Sequence, residues 1–347
     1  MRNVIDSIKN PSEADKLRAL RYAKHSLNAL YALIRYALLI SIGFIVLYPL
    51  LYMIVTSIMS PMAFANSTRV WIPTELGIKD NFSKAIEAMN YGASLLNTIR
   101  IEVVSALLEV VSCAVIGYGF ARFDFKGKKF FTAVLFLTIL VPDMVVLIPR
   151  MVNYSNLDFL FIGRGIETVI IWIGSLFGAD WSGVGAYITP NIVNNGITMW
   201  MPSFFGVGLR SGTLIYIYIQ FFSGLPRELE EAAWVDGAGP FKTFIRIAVP
   251  SSSVVFITVL VFSLIWHWND SLLSGMYLTS DLPLSVMIGS VEDYIGAKWG
   301  LYGRASTPQQ ASIMMVSCLM FIAPMLIFYM FIQRGFIESI DRVGITG

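Results

Sequence analysis

Leu225-Pro226-Arg227-Glu228-Leu229-Glu230-Glu231-Ala232-Ala233-Trp234-Val235-Asp236-Gly237-Ala238 is a short, charged, helix-prone island between two long apolar segments. A helical stretch over 228–236 is followed by Gly237; Pro240 then opens a second short helix over 240–248, which Pro250 closes. A loop that only joined its neighbours would need neither two helices nor so many acids. Glu228 and Glu231 lie one helical turn apart and offer carboxylates to a partner's basic groups. Ala232 and Ala233 add little bulk, so a partner can approach the backbone closely, and Asp236 leads into Gly237, which permits the positive φ of a sharp turn. The island reads as a docking surface. On residue chemistry alone, a solvated amphipathic loop with ordinary capping fits it equally well.

The apolar flanks decide the fold class. Of the 347 residues 56% are hydrophobic and 14% charged, against about 25% charged in soluble domains, so the chain is an integral membrane protein. A net charge of +2 is too small to suggest a nucleic-acid partner. Cys113 and Cys318 both sit in apolar segments, which implies no disulfide framework. Nothing at the N-terminus reads as a cleavable signal. Runs of about 20 apolar residues place six spans, near 37–59, 97–121, 130–149, 200–223, 251–277 and 312–331. With a cytoplasmic N-terminus, sixteen of the 25 Lys and Arg fall inside and eight outside, with Arg210 within a span. The positive-inside rule therefore puts both termini, and the island, in the cytoplasm. The organisation is a basic cytoplasmic tail over 1–35 and an all-α transmembrane domain over 36–347. That domain carries an outer-face insertion at about 155–190 and a cytoplasmic loop at about 224–250. Within the insertion, residues 168–179 are uncharged but too few to span, so they read as an interfacial piece. Trp181, Tyr187 and Asn191 are its contact groups.

On the second island helix Phe241, Phe244, Ile245 and Ala248 fall at i, i+3, i+4 and i+7, one apolar face, with Lys242, Thr243 and Arg246 opposite. Lying at the inner membrane surface, such a helix passes a push to the span it precedes. No Walker A motif is present: Gly237-Ala238-Gly239-Pro240-Phe241-Lys242-Thr243 has Phe where glycine must precede Lys-Thr. Any energy from ATP must then arrive through a partner. His25 and His267 are too few and too far apart for a metal site, and no nucleophile–base constellation is visible. An integral membrane enzyme stays open as an alternative, as does a secondary transporter, although no repeated half-unit is visible.

Glu231-Ala232-Ala233, three residues, then Gly237 matches the EAA-xxx-G core of the cytoplasmic loop of ABC-importer permeases, and Asp236-Gly237-Ala238 with Ile247-Ala248-Val249-Pro250 matches the sugar-importer version. Tyr118-Gly119-Phe120-Ala121-Arg122 resembles the end of the second span in that family, and Val141-Pro142 with Ile148-Pro149 its third. Trp268-Asn269-Asp270 resembles its fifth span, and Gln333-Arg334-Gly335-Phe336 with Gly344-Ile345-Thr346-Gly347 a maltose-G-like ending. The chain thus resembles the permeases of binding-protein-dependent sugar importers over roughly 35–150 and 195–347. The resemblance implies a type I ABC importer fold and a multi-pass place in the bacterial cytoplasmic membrane. It implies a second permease subunit in a heterodimer, two ATPase subunits that bind the ATP and Mg, and an extracytoplasmic sugar-binding protein. It also makes Glu228, Glu231, Ala232, Ala233, Asp236 and Gly237 the ATPase-coupling set, with no cofactor in this chain.

Glu102, Glu109 and Arg210 depart from the family, which has apolar or small residues there. Glu109 and Arg210 lie near mid-span, where a charge costs about 2.5–3.5 kcal/mol. Either they line the solute route, hydrogen-bonding sugar hydroxyls, or they pair with each other or the partner permease. Trp268, Asn269 and Asp270 are further route candidates, since sugar binding uses an aromatic face beside hydroxyl-bonding groups.

Overall fold

The computed structural model describes residues 13–66, 71–155, 162–180, 191–301 and 307–344. Regular structure among them is helical, apart from one isolated bridge between Met59 and Leu76. The principal helices are α1 (Glu13–Ile58), α2 (Ile78–Ala88), α3 (Tyr91–Thr98), α4 (Val104–Arg122), α5 (Lys128–Leu140), α6 (Asp143–Ser155), α7 (Ile162–Leu176) and α8 (Ile197–Phe204). They continue with α9 (Ser211–Gly224), α10 (Glu228–Val235), α11 (Pro240–Thr243), α12 (Ser253–Trp268), α13 (Leu272–Tyr277), α14 (Val291–Trp299) and α15 (Thr307–Gly344). α1 runs unbroken through the boundary expected at residue 35.

α4 is the centre of the bundle, with α8, α9 and α12 packed on it. Its closest neighbour is α9, at Gly117, where an added Cβ would stand 2.4 Å from Tyr218 Cβ. Glycine is therefore what lets α4 and α9 meet at that depth. α1 behaves differently. It packs on α15, yet none of its most apolar window is buried against this chain.

Among the described residues, two helices are long and apolar enough to cross a membrane unaided, Lys24–Ile58 and Thr307–Gln333. They contain the expected first and sixth spans. The second expected span is one continuous rod, α3 running into α4 through a π-helical turn, Ile99–Val103. The third, fourth and fifth are not the uninterrupted spans that sequence suggested. α5 and α6 meet at 100°, because Pro142 forces Val141 out of the helical region to ψ 118. The fourth is split between α8 and α9 by a stretch holding two left-handed residues, Gly206 at φ 69 and Arg210 at φ 58. The fifth ends at Trp268, and the chain turns at Asn269 and Asp270 before α13. Hydropathy averages over such breaks, so a window of 20 residues does not register them.

The segment expected as an outer-face insertion contains α7, on which Trp172 is 61% exposed. Trp181 and Tyr187, expected to be contact groups, lie outside the described residues. Asn191 instead turns its side chain on its own loop, accepting from the Val193 N–H at 2.9 Å.

Candidate functional site

The island is built as one capped helix seated on the bundle. α10 ends in a Schellman turn: Gly237 N–H donates to Trp234 O at 3.0 Å and Ala238 N–H to Ala233 O at 2.9 Å, with Gly237 at φ 78. The glycine expected to make a sharp turn makes it. Glu228, Glu231, Ala232, Asp236 and Gly237 are exposed, whereas Ala233 is buried against the bundle. The expectation that both alanines face a partner is therefore corrected for Ala233, which sits on the inward side of the same turn. Glu230, absent from the expected set, is the acid that holds the helix in place. Arg122 Nε donates to Glu230 Oε1 at 2.9 Å, and Arg122 Nη2 donates to Leu225 O at 2.9 Å.

The second island helix departs from its expected amphipathic face. α11 passes into a π-helical turn, Phe244–Ala248, and helix continues through Pro250 to Ser251. The π turn shifts the register. Thr243, Phe244 and Ala248 face inward, while Phe241 (73%) and Ile245 (48%) are exposed. Pro250 does not close the helix. The break falls at Ser252, where the chain bends 82° into α12.

A second site lies within the bundle, where the helices are interrupted. Glu102 on the π turn and Glu109 on α4 are both fully buried, and His267 of α12 lies between them. His267 Nδ1 is 3.3 Å from Glu102 Oε2 and Nε2 is 3.2 Å from Glu109 Oε2. A neutral imidazole donates from one nitrogen only. Two carboxylate contacts on one ring therefore require a second shared proton, on the ring or on a carboxyl. Ser211 and Ser263 donate to the two Glu109 oxygens, the latter at 2.9 Å. Ser274 Oγ is 2.7 Å from Glu102 Oε1 and 2.9 Å from Asp270 Oδ2. Gly208 makes room for this: a Cβ there would stand 2.9 Å from Glu109 Oε1. The cluster thus joins the π turn, α4, α12, and the breaks before α9 and α13. Buried charges persist only when paired and hydrogen-bonded in this way.

Sequence reading raised the possibility that Glu109 pairs with Arg210. The structure separates them. Glu109 is occupied by His267 and two serines, while the exposed Arg210 guanidinium lies 5.1 Å from the Trp266 ring centroid. The left-handed backbone at Arg210 directs its side chain off the start of α9. The tripeptide of the fifth span is also dispersed. Trp268 is buried and donates its Nε1–H to Phe321 O at 3.1 Å. Asp270 receives the N–H groups of Leu273 and Ser274 at 3.1 and 2.9 Å, starting α13. Exposed Asn269 bonds its own helix, Nδ2 to Ile265 O at 2.7 Å. Arg210 does line a cavity of about 490 Å³ with Arg150, Asp143, Thr138 and Ser211, so one face of Glu109's network reaches an open space.

His267, Glu102, Arg122 and Glu230 were not singled out together by sequence. One signal was available: Glu102 and Glu109 are seven residues apart, two turns on one face of an apolar helix. Nothing in the sequence pointed to His267 as their partner.

Comparison with known proteins agrees with this architecture. A family model for the inner membrane component of binding-protein-dependent transport systems matches residues 114–342. The alpha-glucoside transport system permease protein AglG of Rhizobium meliloti is 25% identical over 268 residues, 77% of this chain but 60% of AglG. The arabinooligosaccharides transport system permease protein AraQ of Halalkalibacterium halodurans is 24% identical over 309 residues, covering 88% of this chain and 93% of AraQ. A chain of the crystal structure of a bacterial ABC transporter involved in import of the acidic polysaccharide alginate superposes with a TM-score of 0.64 at 16% identity, over 88% of this chain and 96% of that one. That likeness is one of fold. The matched family model spans well over half of the sequence, and the chain belongs to the family of binding-protein-dependent transport system inner membrane components.

Proposed function

We propose that this chain is one permease subunit of an ATP-driven importer for a carbohydrate, and that the outward face of α10 receives the movement of a separate ATPase. The observation that carries the reading is how α10 divides its acids. Glu230 is spent on the bundle, while Glu228, Glu231 and Asp236 stay exposed beside Leu229, Trp234 and Val235, which is 88% exposed. A mixed apolar and acidic face on a rigidly seated helix suits a groove with a basic rim. The carbohydrate assignment is supported by the alpha-glucoside and arabinooligosaccharide systems to which AglG and AraQ belong.

The full assembly would hold a second permease, two ATPases carrying ATP and Mg, and an extracytoplasmic sugar-binding protein, in the bacterial cytoplasmic membrane. Six passes with cytoplasmic termini result if the α3–α4 rod and the broken α5–α6, α8–α9 and α12–α13 segments each count once beside α1 and α15. ATP binding closes the ATPases, the island carries that movement into the spans, and the route turns from inward- to outward-facing. The cavity beside Arg150 and Arg210 is this chain's share of the route, and the insertion at 155–190 meets the binding protein or the partner permease.

Replacing Gly237 by Val tests the coupling. An added Cβ meets nothing within 4 Å, so the change acts through the backbone alone, and a β-branched residue resists φ 78. The variant should insert and assemble yet lose ATP-driven uptake. Normal uptake would remove the coupling assignment.

A further inference from the structure

Arg122 sits where three elements meet. It is the last residue of α4. One guanidinium edge holds Glu230 in the first turn of α10, and another nitrogen holds the carbonyl of Leu225, the residue that caps α9. Both charged side chains are nearly sealed, 3% and 4% exposed. A planar guanidinium can make both bonds at once with little loss of freedom, which a lysine ammonium on a flexible stem cannot match. Just beneath, the Tyr118 ring of α4 touches Phe222 of α9 at 5.4 Å and Phe244 of the π turn at 4.9 Å between centroids. The inner ends of α4 and α9 and the island thus form one tightly packed collar.

The other way from α10 into the membrane is softer. It passes Gly239, the π turn Phe244–Ala248 and the break at Ser252, where the chain bends 82°, before reaching α12. Three joints in sequence absorb displacement. α4, in contrast, is unbroken from Arg122 to Val104 and carries Glu109, with Glu102 just beyond on the separate π turn Ile99–Val103, both within reach of His267 on α12.

We infer that Arg122 is the positioning residue through which movement of the island enters the membrane, by way of α4 and not through the helix that leads into α12. The inference rests on the reading of the island as the ATPase-docking element. The collar moves as one body, and α4 delivers its displacement to α12 at the buried His267 cluster.

The test uses the full complex with its ATPases and binding protein in sealed lipid vesicles, with a radiolabelled alpha-glucoside as probe, read as probe transported per ATP hydrolysed. Arg122→Gln and Glu230→Gln should each lower that ratio about tenfold, within the usual span of coupling between sites. The double variant should be no worse than either single, and Arg122→Lys should fall between. Wild-type ratios in the singles, or losses that multiply in the double, would overturn the inference. If the singles fail to assemble, cysteines placed at 122 and 230 and joined by a short bifunctional reagent decide it. A locked junction should still transport, whereas loss of transport on locking would show that the junction opens and would end the inference. Gly237→Val separates the two ideas. If it abolishes uptake while the Arg122 variants transport normally, docking stands and only the route through Arg122 falls.

Discussion

The junction under the island and the cluster inside the bundle both bury carboxylates, and they do so by opposite means. At the island one arginine meets one glutamate, and the spare nitrogen finds a carbonyl. At the cluster two glutamates share one histidine, and three serines and an aspartate complete the network. The first is a single clasp, between residues 108 positions apart, that joins the end of α4 to the start of α10. The second ties residues 158 and 165 positions apart, at the level where the helices are interrupted. A clasp of one pair can be strong and still belong to a moving body. A network that joins several breaks sets how those breaks move relative to one another.

The largest expected effect breaks the second region. His267→Leu removes the one base between two buried carboxylates, and removing one partner of a buried pair costs about 3–5 kcal/mol. The purified subunit or complex should melt markedly earlier and be recovered in lower yield. Retention of wild-type melting would mean that the carboxylates do not depend on the ring.

A double-mutant cycle sharpens the comparison further. Glu109→Leu with His267→Leu should show a coupling of roughly 0.5–3 kcal/mol, as expected for groups in contact. Glu109→Leu with Arg210→Leu should be additive to within about 0.5 kcal/mol, since the two side chains have different partners. Coupling of Glu109 to Arg210 and not to His267 would reverse the assignment.

The exposed acids of the island should behave unlike either buried set. Glu228→Ala with Glu231→Ala should leave melting unchanged, because neither touches the bundle, yet lower uptake several-fold, within the span of coupling energies. A stability loss with normal uptake would place these residues in the fold instead.

The smallest effect belongs to an exposed pair, Glu87 and Lys298. The Lys298 ammonium beside Glu87 holds that carboxyl below its ordinary value of 4.5. A depressed carboxyl contributes stability above its unfolded-state pKa and loses it as pH falls through the folded value. Both groups are exposed, and surface pairs contribute little. Glu87→Gln should therefore leave the melting temperature at neutral pH nearly unchanged. It should flatten the pH profile at the acid end and, because Glu87 also holds the Lys298 ammonium above its ordinary value, at the alkaline end.

The first island helix was legible because its signals are local: a glycine after a short helix and acids one turn apart. In the second, the π turn and the helix running through Pro250 broke the expected face and the expected stop. The Schellman turn at Gly237 follows directly from the local signals of the first. Its inner anchor was not legible, since Glu228, Glu230 and Glu231 look alike until the helix is set on Arg122, more than a hundred residues upstream. The first and last long apolar helices were also plain from hydropathy. The split of the fourth span was not, because its left-handed residues, Gly206 and Arg210, sit among apolar neighbours. The cluster was half visible: Glu102 and Glu109 stood out as charges in an apolar helix, but their partner is a histidine that local periodicity cannot assign.

Adjacent alanines offer the most direct test of the central claim, that the island is seated inward and docks an ATPase outward. Cysteine is placed at Ala232, which is exposed, or at Ala233, which is 8% exposed, with Cys113 and Cys318 replaced, and cross-linking to the ATPase subunits is measured in the assembled complex. The account predicts that the Ala232→Cys variant cross-links efficiently and that Ala233→Cys does not. Cross-linking from position 233 alone, or from neither position in a complex that transports, would contradict it.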